Sequence, residues 1–457
     1  MSGPSEPNVK RSLPRRWLNR LEVDQAVFYA MSARYWQFLA GPITLLLVMR
    51  FFSEETQGYY FTFWSVIGLQ NFFELAFPQT ILTTASHQWG KLEMTSSGHV
   101  AGDKDAKSRL SHLFRTSVAA YAVIALLFCL SLVFAGRLFF SQDQYSNDLN
   151  WYAPWIGLVT LSSINFLLIP FLAALEGCNQ VRAIYKMHLA RAVAGNLVVW
   201  ACMAGGTTLW VPAIAVAVRI ACELILILVR YRNFFASISS RPNAATLDWR
   251  GEIWPFQSKL IFKGFFNYFN SDLIVPVLFR YQDAVTAGQF GMTWSVLQAM
   301  RGACSAWVRT RVPQMGALVA QKDYRELDRI FWRVGSIALA VLLLLSITMC
   351  FGVAAIYQLE FRYATRFLGL LPTTILCVGL IAGLAVEFQW QYLHCHGKSP
   401  YVLATVACCC LSGLMIWQLG MHYGVLGACI AYLVMHAFVY LPLSSYAWFG
   451  LRREWHR

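Results

Sequence analysis

The chain has 457 residues, is 57% hydrophobic and only 13% charged, and has a mean hydropathy of +0.48. Those values exclude an ordinary soluble domain and fit an integral membrane protein. The net charge of +14 would point to nucleic acid in a soluble protein. In a membrane chain it is accounted for by Lys and Arg gathered in loops on one side of the bilayer, and no nucleic-acid partner is expected.

Residues 1–24 are polar and basic, with Lys10, Arg11, Arg15, Arg16 and Arg20 around Trp17 and Leu18. They read as a segment lying on the cytoplasmic membrane surface. The full-length span that follows is unlike the short apolar core of a cleavable signal.

Hydropathy and length then predict about twelve spans, near 26–49, 58–86, 114–136, 151–175, 182–205, 209–231, 255–279, 285–311, 333–357, 365–393, 399–421 and 424–449. Loops after even-numbered spans carry Lys91, Lys104, Lys107, Arg109, Arg232, Arg241, Arg250, Lys322, Arg325, Arg329 and Lys398. Loops after odd-numbered spans carry only Arg50, Arg137, Arg280, Arg362 and Arg366. The positive-inside rule therefore places both termini in the cytoplasm. Trp151, Trp155, Trp210, Trp254 and Trp448 fall at span ends, where interfacial anchors belong.

An internal repeat divides the chain. A shift of 230 residues superposes Arg50 on Arg280, Thr56 on Thr286, Gly58 on Gly288 and Trp64-Ser65-Val66 on Trp294-Ser295-Val296. Each half holds an even number of spans, so the halves enter the membrane in the same sense. The expected plan is all-α: a basic segment 1–24, an N-lobe 25–231, a cytoplasmic linker 232–253, a C-lobe 254–450 and a basic tail 451–457. The two six-helix lobes would stand parallel around a central cavity.

The stretch Trp254–Arg280 departs from apolar filling. Lys259, Lys263, Asn267 and Asn270 step by four, four and three and share one helix face. A cation at the centre of a lipid-facing helix costs about 2.5–3.5 kcal/mol on insertion scales. The stripe is therefore expected to line protein or a water-filled path. On the first span Arg34, Gln37 and Gly41 share a face, and the repeat sets Arg34 at the depth of Lys263. Arg301 lies with Gln298 and Ser305 on one face of the eighth span. Arg34, Gln37, Lys259, Lys263, Asn267, Asn270 and Arg301 are thus the candidate lining of an anion or diphosphate site; structural ion pairs and snorkelling are the alternatives. Lys186 and Arg191 on the fifth span carry the same choice.

The acids within spans are Glu74, Glu223, Asp272 and Glu387. A buried carboxylate can exchange a proton near neutral pH, so these are candidates for coupling to H⁺ or Na⁺. Arg219 and Glu223, four residues apart, would also neutralise one another.

The cysteines fall almost entirely in apolar spans and include no CxxC pair, so they read as core-filling residues. His394-Cys395-His396 makes a poor chelate without further ligands. There is no nucleophile constellation, phosphate-cradling Gly-rich loop or zinc signature, so neither an enzyme nor a bound cofactor is expected.

The stretch Ala26–Phe77, AVFYAMSARYWQFLAGPITLLLVMRFFSEETQGYYFTFWSVIGLQNFFELAF, resembles polysaccharide exporters of the multidrug/oligosaccharidyl-lipid/polysaccharide (MOP) flippase superfamily, most closely the O-antigen flippase (Wzx-like) branch. Gly41, Arg50 and Gly58 carry the likeness. The resemblance implies a V-shaped pair of lobes, alternating access, and an undecaprenyl-diphosphate-linked oligosaccharide moved across the bacterial inner membrane for lipopolysaccharide assembly. It implies membrane lipids and other glycan-assembly proteins as partners. The drug-exporting branch resembles itself in an acid on the first helix, where this chain has Arg34. A multidrug or metabolite antiporter on the same fold is the alternative.

Overall fold

The computed structural model describes residues 25–74, 77–141, 149–239, 268–269, 272–396 and 402–455. The described residues are all-α apart from one small hairpin, and they form two parallel helical lobes.

The first lobe opens with α1 (Gln25–Phe51), α2 (Glu54–Ile67), the short α3 (Gln70–Phe73) and α4 (Phe77–Trp89). The span expected at 58–86 is thus not one helix but three pieces. Pro78 explains the last break: it has no N–H to offer the Glu74 carbonyl, so it begins a new helix instead of continuing the old one. A two-stranded antiparallel hairpin follows, β1 (Leu92–Met94) and β2 (Val100–Gly102), which the hydropathy pattern does not announce. Then come α5 (Lys104–Phe140), α6 (Tyr152–Gly177), α7 (Val181–Ala204) and α8 (Val211–Ile225), the last running on into a π-helical turn, Leu226–Arg230.

Part of the expected linker is ordered. Helix α9 (Arg232–Ile238) buries Phe234 and Phe235 against Trp89, Phe114 and Phe171. Its Ser237 Oγ accepts from Val100 N at 3.1 Å, and Asn233 Nδ2 donates to the Ser97 carbonyl at 2.8 Å. The hairpin is thereby fastened to the end of the first lobe.

The second lobe contains α10 (Ile274–Tyr281), α11 (Ala284–Arg309), α12 (Val312–Gln321), α13 (Tyr324–Gln358) and α14 (Leu370–Cys395). It closes with α15 (Val402–Leu433), a π-helical stretch (Val434–Tyr440) and α16 (Leu441–Trp455). α15 is two helices joined at Gly424, whose φ of +59° favours glycine. The eleventh and twelfth spans meet there. The C-terminal residues form helix to Trp455 instead of a separate tail, and Arg452 pairs with Asp328 on α13.

Seven helical stretches among the described residues are long and apolar enough to cross a membrane by length and composition, the last being Val406–Glu454 folded back at Gly424. The internal repeat is visible in the packing. In the first lobe α1 lies on α7, α5 on α6, and α6 and α7 on α8. In the second, α10 lies on α15, α13 on α14, and α14 and α15 on the π-helical stretch. The last span of each lobe contains a π segment. The repeat also sets the caps: Ser53 Oγ accepts from Thr56 N at 3.2 Å to start α2, and Asp283 Oδ1 accepts from Thr286 N at 2.6 Å to start α11.

Candidate transport site

At one end of the bundle the two lobes are shut against each other. α2 and α11 cross where Gly58 meets Gly288, close enough that a Cβ on Gly58 would sit 1.8 Å from the Ala284 carbonyl oxygen. The connection between α13 and α14 reaches over this crossing. Arg366 donates to the Phe52 carbonyl at 2.7 Å and to Gln57 Oε1 at 3.4 Å. Gln57 Nε2 donates to the carbonyls of Gly288 at 2.9 Å and Arg366 at 3.2 Å. The Thr365 hydroxyl donates to Glu54 Oε1 at 2.6 Å. Behind this clasp Phe279 packs edge-on to Tyr59 at 4.9 Å and stacks on Phe139 at 5.5 Å. The seal therefore combines hydrogen bonds between lobes with an apolar plug.

Away from that end, charge enters the interior of each lobe. In the first lobe Glu223 on α8 is fully buried. Its Oε1 accepts from Arg191 Nη1 of α7 at 2.7 Å and from Arg219 Nε at 3.0 Å, and its Oε2 from Asn165 Nδ2 of α6 at 2.9 Å. In the second lobe Glu387 on α14 accepts from Arg301 Nη2 at 3.2 Å, Arg309 Nη2 at 2.8 Å and Gln391 Nε2 at 3.2 Å. Each carboxylate is bracketed by two guanidinium groups, so each trio carries one uncompensated positive charge. Such pairs resist disruption because removing one partner strands a charge in low dielectric.

The candidate residues from the sequence fall into three groups. Arg34 and Gln37 are exposed on α1. That helix packs mainly on α7, through Trp36 Nε1 to the Ala192 carbonyl at 3.1 Å and Trp200 Nε1 to Thr44 Oγ1 at 2.9 Å, and also touches α11. Arg34 forms no ion pair among the described residues. A Cβ added to Gly41, on the same flank, would meet nothing within 4 Å.

Glu74, Glu223, Arg301 and Glu387 form the second group. They lie within the lobes, in two separate clusters. Glu74 accepts from Gln70 Nε2 at 2.7 Å and stands within electrostatic reach of Arg219. Asp272 stands at the seam, where its carbonyl accepts a hydrogen bond from the Ser65 hydroxyl of the other lobe.

The third group, Lys259, Lys263, Asn267 and Asn270, lies outside the described residues.

Arg309 and Arg366 were not singled out by the sequence, and the pairing of Arg191 with Glu223 was not foreseen. An arginine inside an apolar span is a visible signal, as Arg34 is. Its partner is not visible when it lies 32 residues away for Arg191 or 78 for Arg309.

No family model and no curated protein matches the sequence. Solved structures do match its fold. The lipid II flippase MurJ in an inward closed conformation superposes with a TM-score of 0.61 at 13% identity, covering 92% of this chain and 87% of MurJ. An inward-facing multidrug resistance MATE family transporter of the MOP superfamily gives a TM-score of 0.59 at 11% identity, covering 90% of this chain and 99% of the other. The fold is similar to the one these two transporters share. A third similar structure, the MATE multidrug transporter DinF-BH, gives 0.57 at 12% identity over 99% of both chains. At such identities the likeness is one of architecture, and it is shared by a lipid flippase and by drug exporters alike.

Proposed function

We propose that this protein is a transporter that flips a lipid-linked, diphosphate-bearing oligosaccharide or polysaccharide repeat unit across the bacterial inner membrane by alternating access. The N-lobe is 25–231 and the C-lobe 254–450, joined by 232–253. Both termini face the cytoplasm, as the charge asymmetry of the loops favours. The end closed by Arg366 and the Gly58–Gly288 crossing is then the periplasmic gate.

The observation that carries this reading is Arg34. A cation ten residues into a 27-residue helix, with no ion-pair partner among the described residues, is costly against lipid. It is useful against an anion that arrives and leaves. Arg34 and Gln37 would take the diphosphate with Lys259, Lys263, Asn267 and Asn270 of the other half of the repeat, while the prenyl tail stays in lipid. A guanidinium forms a bidentate contact with such an oxyanion and an ammonium a mobile point charge. Arg301 would meet the phosphate nearer the cytoplasmic side. Glu74 and Asp272 are the proposed coupling carboxylates for H⁺ or Na⁺. Glu223 and Glu387 are already saturated by arginines and amides and suit fixed counter-charges better. The branch is that of O-antigen export, with other glycan-assembly proteins as neighbours.

The test is transport of an undecaprenyl-diphosphate-linked oligosaccharide by purified protein in liposomes. Arg34→Ala with Lys263→Ala should abolish transport while insertion is normal; full transport by the double variant removes the anion-site reading. The fold equally serves a multidrug or metabolite antiporter. That reading expects tolerance of both substitutions and a drug resistance that depends on Glu74 or Asp272.

A further inference from the structure

We propose that the first lobe holds a subsite for one uncharged sugar ring of the substrate, with Trp64 as its platform and the Gln70 and Asn165 amides as its hydrogen-bonding rim. This rests on the lipid-linked glycan reading above and names where its sugar lies. A cavity of about 100 Å³ lies between α2, α3, α6 and α8, lined by Trp64, Ile67, Gln70, Asn165, Val216 and Arg219. It stands beside the seam between the lobes. One residue along α2 from Trp64, the Ser65 hydroxyl donates to the Asp272 carbonyl of the other lobe. A Cβ on Gly68, the residue after Ile67, would lie 3.7 Å from the Tyr268 ring. The cavity volume matches about three waters, so it takes one face of a single ring while the rest of a glycan stays outside.

Three observations point to a sugar. First, the repeat superposes Trp64 on Trp294, but the two indoles differ. Trp294 is 8% exposed, stacked on Phe290 at 5.8 Å and met edge-on by Tyr432 at 5.1 Å. Trp64 is 37% exposed and lines the cavity. Tyr60 stands where the second half has Phe290, and its hydroxyl is a hydrogen-bond partner of the Trp64 side chain, which sets the plane of the indole. An indole left open beside polar groups suits a pyranose, whose C–H face is apolar and whose edge carries hydroxyls. Second, Gln70 Nε2 donates to Glu74 at 2.7 Å and Asn165 Nδ2 to Glu223 at 2.9 Å. Only the NH₂ of an amide can donate to a carboxylate, so each carbonyl oxygen is fixed as the other end. Neither oxygen has a partner among the described residues and neither is sealed within protein, so both can accept from a sugar hydroxyl. Third, the charges around the cavity balance. Arg191 and Arg219 share Glu223, and Arg219 also stands in the field of Glu74. Two cations against two carboxylates suit a neutral ligand.

An organic cation is the rival occupant, because an indole face with Glu74 close by attracts one. Arg219 lines the same cavity and opposes it. Arg34 is not part of this wall, so recognition of the diphosphate and of the sugar can be separated by mutation.

The experiment measures binding to the full chain by native mass spectrometry with two probes: undecaprenyl diphosphate, and the same lipid bearing one N-acetylglucosamine. The sugar should tighten binding to the wild-type protein about tenfold, the scale of one good aromatic contact. Trp64→Ala should erase that increment and leave binding of the bare lipid unchanged, which also shows that the variant is folded. Trp64→Phe should keep most of the increment. Gln70→Leu should reduce it severalfold, and it carries the test if Trp64→Ala does not fold. Arg34→Ala should weaken both probes alike. An increment that survives Trp64→Ala or Gln70→Leu undiminished, or a loss that both probes share equally in Trp64→Ala, overturns the subsite and leaves the flippase reading standing. Binding of neither lipid overturns both. Tetraphenylphosphonium bound in place of any sugar increment, and lost in Trp64→Ala, gives the cavity to a cation and overturns the subsite as well.

Discussion

Gly58 and Gly288 stand back to back where α2 crosses α11, 230 residues apart and equivalent in the internal repeat. A Cβ on Gly58 would lie 1.8 Å from the Ala284 carbonyl oxygen, and one on Gly288 would lie 2.9 Å from Gly58 N. Both obstructions are backbone, which no side-chain rotation relieves. Gly58→Ala should therefore push the lobes apart at this end, with a destabilisation at or above the ~1–3 kcal/mol typical of overpacking. Gly288→Ala should cost less, because its nearest contact is looser. Unfolding midpoints of the two variants in nanodiscs check the order, and equal midpoints would contradict it.

The Arg366 clasp holds the same end from outside. Its guanidinium bonds to the Phe52 carbonyl and Gln57, and hydrogen bonds to charged groups are worth about 1.5–3 kcal/mol each. Arg366→Ala should shift the population toward an open gate by at least tenfold. Spin labels at Glu55 and Arg362 should report a new, longer distance by double electron–electron resonance. Arg366→Lys should restore only part of the closed population, since a point charge cannot reproduce the planar fork. A distance distribution unchanged in Arg366→Ala would show that the glycine crossing alone keeps this end shut.

The gate was half legible in the sequence. The repeat aligned Gly58 with Gly288, and the same shift aligns the caps Ser53 and Asp283, because a helix start and a close crossing leave local marks: a short polar residue and a missing side chain. Arg366 left no such mark, since its partners lie 309 and 314 residues away. Hydropathy found the long helices for the physical reason that lipid demands them. It read 58–86 as one span because it weighs composition and ignores the N–H that Pro78 lacks. The β1–β2 hairpin is too short and polar to register at all. The Arg219–Glu223 pair, four residues apart on one helix, could be read, whereas the pairs of Arg191 with Glu223 and of Arg301 and Arg309 with Glu387 could not, as they join helices distant in the chain. The face of Lys259 and Lys263 lies outside the described residues.

Glu223 gives a sharp energetic test. It is buried and carries three hydrogen bonds, two of them from arginines. Glu223→Ala strands Arg191 and Arg219 without their shared counter-charge, and breaking a buried pair in this way costs about 3–5 kcal/mol. Arg191→Ala should cost less, because Arg219 and Asn165 still hold the carboxylate. In a double-mutant cycle the two changes should be strongly non-additive, with coupling of about 0.5–3 kcal/mol. Additive unfolding free energies would mean that the 2.7 Å contact between Arg191 and Glu223 contributes nothing of its own.

Glu387 should behave differently toward its two arginines, because they are not equally removed from water. The Arg309 side chain is 59% exposed and that of Arg301 24%. An exposed ion pair is worth roughly 0–1 kcal/mol, so Arg309→Ala should scarcely move the unfolding midpoint. Arg301→Ala removes the less exposed partner and should cost more. Glu387→Ala should cost the most, because it leaves two cations on α11 facing each other's field across the gap that the carboxylate filled. Transport should not follow the same order if Arg301 meets the substrate. Arg301→Ala then loses far more transport than stability, whereas Glu387→Ala loses stability first. Transport rates and unfolding midpoints measured on the three variants in the same nanodisc preparation separate the two roles. If transport tracks stability across all three, Arg301 is a structural partner of Glu387 and has no contact with the substrate.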